Sequence, residues 1–391
     1  MKTITTTQEL ADFCEKCAEF DYVTVDTEFL RERTYYSKLC LIQMAHPVPD
    51  DPIGAKMDGA VLIDVLAEGL ELDPLYDLFL DESVVKVFHA ARQDLEIFYV
   101  DKQIIPKPFF DTQVAAMVCG FGEQVGYETL VKKIVRQPLD KSSRFTDWSQ
   151  RPLSDKQKTY AIGDVTHLRV IYEFLENKLQ KTGRHSWVEE ELQVLTAPTT
   201  YVIEPENAWK RLKTRSSSPK FLAAVKELAR FREAYAQSRN IPRNRVFKDD
   251  ALMEIAATRP ANVQALSKSR LLLRDARKGP IAEGIFAAIK AAAKYGPDDF
   301  PKPLAQRQKP VGSEGLADLL RVLLKANAEK IGVAQKLIAN AADLDDIAAG
   351  NPDAAVFKGW RNKVFGRDAK ALCEGKIALS AKGSSVEKVV L

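Results

Sequence analysis

Strand-like patterning runs through the first ~200 residues of this 391-residue chain and then stops. Before Ala197-Pro198-Thr199, four β-branched or apolar runs read as strands: Tyr22–Thr27, Leu39–Met44, Ala60–Val65 and Val84–His89. From Trp209 to Leu391 no run reads as a strand. Alanine-rich helical periodicity takes over, as in Phe221-Leu222-x-x-Val225-x-x-Leu228-x-x-Phe231. A chain this long exceeds one ordinary core. The break therefore predicts an α/β domain with a mixed sheet, followed by a helical half.

Helices are expected near Asp73–Leu80, Gln93–Asp101, Thr112–Cys119 and Tyr127–Val135, with a long one starting after Ser154. His46–Gly59 holds three prolines and two glycines and reads as a long polar loop. Tyr295–Pro310, with four prolines and one glycine, reads as a linker. It divides the helical half into two units that each begin with a long amphipathic helix, the pattern of a tandem repeat. The expected segments are 1–200, 206–294 and 311–391.

At 46% hydrophobic and 28% charged residues the chain is neither disordered nor membrane-spanning in composition. The start, Met1-Lys2-Thr3-Ile4-Thr5, lacks the apolar stretch of a signal peptide, so a cytoplasmic protein is expected. Cys14, Cys17, Cys40, Cys119 and Cys373 have no framework spacing. Cys14-x-x-Cys17 lacks a second pair for zinc and a preceding strand for redox work, and reads as two small residues on a helix. The net charge of +3 conceals a basic middle: Glu206–Lys294 has 20 Lys and Arg against 8 Asp and Glu, or +12, leaving 3 − 12 = −9 elsewhere. Such a segment suits either a polyanion or a solvated surface.

Several carboxylates break the hydrophobic pattern. Asp26 and Glu28 are two apart in the first strand, so alternation puts both on one face, while Val23, Val25, Thr27 and Phe29 line the other. Side by side they repel unless solvent or a cation intervenes. Asp94 falls in the first turn of a helix, where simple dipole compensation would also place an acid. Ser154 with Gln157 forms a capping box. The helix it starts carries the apolar stripe Leu168, Ile171, Leu175 and Leu179, which extends back onto Asp164 and Tyr160. A carboxylate on a buried stripe costs several kcal/mol unless paired or bound to metal. No Lys or Arg lies one turn away along that stripe, so a metal is the simpler explanation.

The ordered set Asp26-x-Glu28, Asp94, Tyr160-x-x-x-Asp164 resembles the DEDD exonuclease superfamily in its tyrosine subclass; the histidine subclass would need His where Thr159 stands. Asp26-Thr27-Glu28-Phe29-Leu30-Arg31, His89-Ala90-Ala91-Arg92-Gln93-Asp94, Phe110-Asp111-Thr112-Gln113, Leu139-Asp140-Lys141-Ser142, Thr146-Asp147-Trp148 and Arg151-Pro152-Leu153 are similar to the ribonuclease D family. Two features depart from it: the His46–Gly59 loop, which is longer than the family's turn, and Ala91-Arg92-Gln93, where small or acidic residues are more usual. The loop either touches substrate or decorates the surface.

The resemblance implies a ribonuclease H-like exonuclease domain over 1–200. It also implies an HRDC module in the basic segment and a divergent second copy at the end. It implies a 3′-to-5′ exoribonuclease that releases nucleoside 5′-monophosphates, with two Mg²⁺ or Mn²⁺ ions about 4 Å apart. Asp26 would bridge both ions, Glu28 and Asp164 would complete the site for the water-activating one, and Asp94 would hold the other. Tyr160 would position water with Glu28. The expected partners are transfer RNA precursors and other small structured RNAs, without membrane association, acted on by a monomer.

Phe29 and Leu30 either pack on a base or, for Phe29, face the core. His89 either contacts the scissile end or is structural. Lys141, Arg144 and Arg151 either grip phosphates or are surface charge. On the basic unit, Arg239, Arg243, Arg245, Lys268, Arg270, Arg274, Arg277 and Lys278 are the candidates for phosphate contact, and deletion from Glu206 onward is expected to leave a folded exonuclease domain. Rival readings are the same chemistry on DNA and a non-catalytic RNA-binding protein. No Walker-type Gly-x-x-x-x-Gly-Lys is present.

Overall fold

The computed structural model describes residues 1–139, 146–214, 216–303 and 312–391. They form two compact units, neither continuous in sequence: one takes Met1–Glu28, Cys40–Ala197 and Arg307–Leu391, the other Phe29–Leu39 and Pro198–Gln306.

The first unit holds a six-stranded mixed sheet of β1 (Lys2–Ile4), β2 (Tyr22–Leu30), β3 (Lys38–Ala45), β4 (Ala60–Ile63), β5 (Val85–Phe88) and β6 (Phe109–Asp111). The order is β1-β4-β3-β2-β5-β6. β3 and β4 run antiparallel, whereas β1–β4, β2–β5 and β5–β6 are parallel. β2 is thus central, which explains its buried Val23 and Val25. The four strands expected from sequence are β2 to β5. β1 and β6 span only three residues each, too few for alternation to register.

The long helix Asp155–Thr182 starts at the Ser154–Gln157 capping box and ends at Gly183, with φ 65°. Its stripe of Leu168, Ile171, Leu175 and Leu179 is buried, with Asp164 on the same side. Arg169, five residues beyond Asp164 and off that stripe, is 3% exposed. It donates to the carbonyls of His46, Asp58 and Lys56 and pairs with Asp51 at 2.9 Å. The His46–Gly59 loop is therefore clamped to this helix. Gly54 makes the approach possible: at φ +62°, an added Cβ would stand 2.6 Å from the Thr166 carbonyl oxygen.

A strand, β1, does precede Cys14 and Cys17, contrary to expectation. The two thiols nevertheless lie in the second half of helix Thr7–Cys17, away from the N-terminus that stabilises thiolates. Both are buried, and burial pushes their pKa up, Cys14 to about 12. All five cysteines are free.

Residues beyond 312 pack into this same unit. Trp360 stacks on Trp187 (4.7 Å between centroids, 12° between planes) and donates to Glu191. Arg361 pairs with Glu191 at 2.6 Å, and Arg184 donates to the Ile331 carbonyl. A cut at Glu206 would strip these contacts from the exonuclease unit, so the expected clean truncation is not available. The all-helical ending is also corrected: β7 (Ile377–Lys382) and β8 (Ser385–Val390) form an antiparallel hairpin. Its turn is Gly383-Ser384, with Gly383 at φ 60°, a hairpin signal between two six-residue strands that the helical reading passed over.

The second unit is built on helix Pro219–Arg239, packed with Trp209, Phe247, Leu252, Ile255 and Ile285. Asn240 ends the helix in the left-handed region, and its side-chain oxygen accepts from the Tyr35 and Tyr36 amides at 3.1 and 3.0 Å. That fastens the 29–39 segment into the helical core, where Tyr35 is buried.

Candidate active site

β2 presents Thr24, Asp26 and Glu28 on one face, as alternation requires. That face meets the long helix rather than open solvent. The Thr24 hydroxyl lies 2.9 Å from the Val165 carbonyl and 3.2 Å from that of Ala45. Carboxylate oxygens of Asp26, Glu28 and Asp164 consequently come within 4.8 Å of one another. Asp26 and Glu28 are half-buried and Asp164 is buried, so solvent reaches the group in part and a cation would complete its neutralisation.

The electrostatics agree. Burial, then the Asp164 charge, holds the Asp26 carboxyl well above its usual range. Glu28 is pushed up to about 10 by burial and then by Asp26, Asp164 and Asp94. Asp94 is raised by burial and by Asp26, against the lowering effect of Thr27. The charges acting on these three groups are carboxylates, which favour the proton or a cation. The donor set is all oxygen, which suits a hard divalent ion.

Asp94 stands outside the three-oxygen group. It is 7% exposed, and the Thr27 hydroxyl, from the opposite face of β2, donates to it. Tyr160 is half-buried beside Trp148, 6.1 Å between rings. Asp26, Tyr160 and Asp164 line one cleft of about 350 Å³, with His89, Gln113, Tyr127 and Leu139.

Sequence reasoning missed Tyr127. Its hydroxyl lies 3.0 and 2.8 Å from the Gly163 and Asp164 carbonyls, so it steadies the helix backbone at the cluster. The available signal was a tyrosine at the first position of a helix, which nothing in the pattern distinguishes. Thr24 and Thr27 were also passed over, although two hydroxyls among the valines of a central strand needed partners.

The other expected contacts divide. His89 is on the cleft wall. Thr112 donates to the Phe88 carbonyl, so His89 Nδ1 must be the donor at 3.0 Å to the Thr112 oxygen. Burial lowers its pKa and keeps the ring neutral. Phe29 and Leu30 are half-buried, between the two alternatives. Arg151 is engaged within the first unit. Its Nε and one terminal nitrogen bind Asp64 at 2.7 Å each, and the carbonyls of Trp148, Gln150 and Cys40 take the rest, which uses all five donors. Lys141 and Arg144 lie outside the described residues.

On the basic unit, Arg277 is likewise engaged, with the carbonyls of Ser267, Ser269 and Leu272. Arg243 is held by Glu233 at 2.5 and 2.7 Å. Arg239, Arg245, Lys268, Arg270, Arg274 and Lys278 are exposed.

Residues 1–180 match a family model described as a 3′-5′ exonuclease, and residues 221–277 match the HRDC domain. Ribonuclease D of Jannaschia sp. is 60% identical over 387 residues, 99% of each chain. Ribonuclease D of Nitrobacter hamburgensis is 47% identical over 390 residues, covering 100% of this chain and 99% of its own. The crystal structure of Escherichia coli RNase D, described as an exoribonuclease involved in structured RNA processing, superposes with a TM-score of 0.81 at 27% identity, covering 96% of this chain and 98% of that one.

Proposed function

Because this chain belongs to the ribonuclease D family, we propose that it is an exoribonuclease that hydrolyses RNA from the 3′ end and releases nucleoside 5′-monophosphates. The substrates we propose are structured RNAs such as transfer RNA precursors. The observation that carries the reading is the meeting of the Asp26, Glu28 and Asp164 oxygens within 4.8 Å, with the Asp26 and Glu28 carboxyls held above their usual range.

Asp26, Glu28 and Asp164 would hold one divalent ion, and Asp94 with Asp26 a second, as Mg²⁺ or Mn²⁺. Bound there, such ions lower the pKa of water and neutralise charge on the leaving oxygen. The chain's own part is placement. Thr24 and Tyr127 hold the helix carbonyls beside Asp164, so strand and helix carboxylates keep their spacing. The Tyr160 hydroxyl, on the same cleft, orients the attacking water together with Glu28.

We read 206–294 as the HRDC module and 311–391 as its divergent second copy. Each has a long helix, Pro219–Arg239 or Glu314–Ile331, followed by short ones. Among the described residues no helix is long and apolar enough to cross a membrane; we propose a cytoplasmic monomer. Incubating the protein with 5′-labelled RNA and Mg²⁺, with and without EDTA, tests the whole reading. Stepwise shortening with release of 5′-monophosphates, abolished by EDTA, is expected. Internal cleavage, or EDTA-resistant activity, would refute it.

A further inference from the structure

The second unit contains a cavity of about 360 Å³ among four arginines, Arg31, Arg211, Arg232 and Arg243, and two acids, Glu233 and Asp249. The arginines exceed the acids by two charges. Glu233 is already engaged: Arg243 grips both its oxygens, and the Tyr35 hydroxyl donates to it. Asp249 takes one bond from Arg232 at 2.7 Å and is otherwise open, its side chain 65% exposed.

Arg232 is the informative member. It is 4% exposed, and its terminal nitrogen serves the Phe247 carbonyl and Asp249. Its Nε is buried with no hydrogen-bond partner among the described residues. A buried N–H without an acceptor is costly, and Arg232 keeps its charge on the cavity wall. Arg31 and Arg211 stand on the exposed part of the wall. Guanidinium groups match the paired oxygens of a phosphate, and several around one cavity favour a tetrahedral oxyanion over a planar carboxylate. The one aromatic side chain of the wall, Tyr35, is buried with its hydroxyl tied down, so the cavity has no platform on which a base could stack.

We propose that this cavity seats an internal phosphodiester of the RNA substrate, read by charge and not by base identity. The inference rests on the RNA reading above. It also gives the 29–39 segment, which follows directly on the metal-binding strand, a part in holding the RNA chain.

The test is RNA binding by the full chain in EDTA, where nothing is cleaved, so its outcome is independent of the catalytic reading. Anisotropy of a labelled 20-nucleotide RNA is followed against salt. Arg211→Ala and Arg31→Ala should each weaken binding roughly fivefold to tenfold and lower the salt slope by about one. Asp249→Asn, which removes a negative charge from the wall, should tighten it, an effect no purely structural role predicts. Melting temperatures verify that each variant is folded. Inorganic phosphate at millimolar concentration should compete in the wild type and less in Arg211→Ala. Unchanged RNA affinity and slope in both arginine variants would overturn the proposal. So would a defect confined to binding of free nucleoside 5′-monophosphate, which would make the cavity a mononucleotide site.

Discussion

Thr24 on β2 donates its hydroxyl to the carbonyl of Val165, the residue after Asp164, at 2.9 Å. One buried bond thus ties the strand that carries Asp26 to the helix that carries Asp164. Thr24→Val keeps the shape and deletes the bond. It should lower stability by about 1 kcal/mol and reduce kcat severalfold. Thermal melting and single-turnover kinetics measure the two effects. An undiminished kcat with a lowered melting temperature would show that the bond serves only the fold.

Asp26→Asn and Asp164→Asn should each abolish activity by several orders of magnitude in a folded protein. The pH behaviour follows from the raised carboxyls. Glu28 ordinarily titrates near 4.5 and is pushed up to about 10, so the folded state binds the extra proton. The metal-free protein should lose stability as pH rises from 4.5 through about 10. Asp26→Asn relieves the repulsion, so it should melt at or above the wild type at pH 8 without metal. Mg²⁺ should raise the wild-type melting temperature far more than the variant's. Full activity in either variant would remove these carboxylates from the site.

Tyr160→Phe removes one hydroxyl and no carboxylate. A fall of roughly tenfold to several hundredfold is expected, the scale of lost proton-transfer assistance. Metal affinity by calorimetry should hold. A large loss of metal affinity would assign Tyr160 a structural part.

Arg151→Met should destabilise the first unit by about 2–3 kcal/mol, since it leaves Asp64 without its bidentate partner. Binding of RNA by the folded variant should be unaltered. Reduced affinity at full stability would restore the phosphate role that the hydrogen bonds argue against.

The contrast between Asp164 and Arg151 shows what patterning reveals. Asp164 was legible because a carboxylate on the Leu168–Leu179 stripe violates helical amphipathicity, a fault visible within one element. Arg151 was not, because its meaning depends on Asp64, 87 positions away. Tyr127, Thr24 and Arg169 are the same case: each acts on a backbone carbonyl of another element, and carbonyls carry no sequence identity. The four longer strands of the sheet were readable from alternation. The three-residue strands and the packing of 312–391 onto Trp187 were not, since nothing local encodes them; the 377–390 hairpin was passed over although its Gly383-Ser384 turn is written locally.

Trp360→Ala should cost about 3–5 kcal/mol, and the loss should appear in the melting of the exonuclease unit although the residue lies far along the chain. An unaffected exonuclease transition would mean that the Trp187 stack contributes nothing to it.

That stack has a consequence during synthesis. Trp187 leaves the ribosome before Trp360, and at about 5–20 residues per second the intervening chain takes roughly ten to thirty seconds to emerge. For that interval Trp187 lacks its stacking partner. The packing of the first unit is therefore complete only once the later segment has been translated.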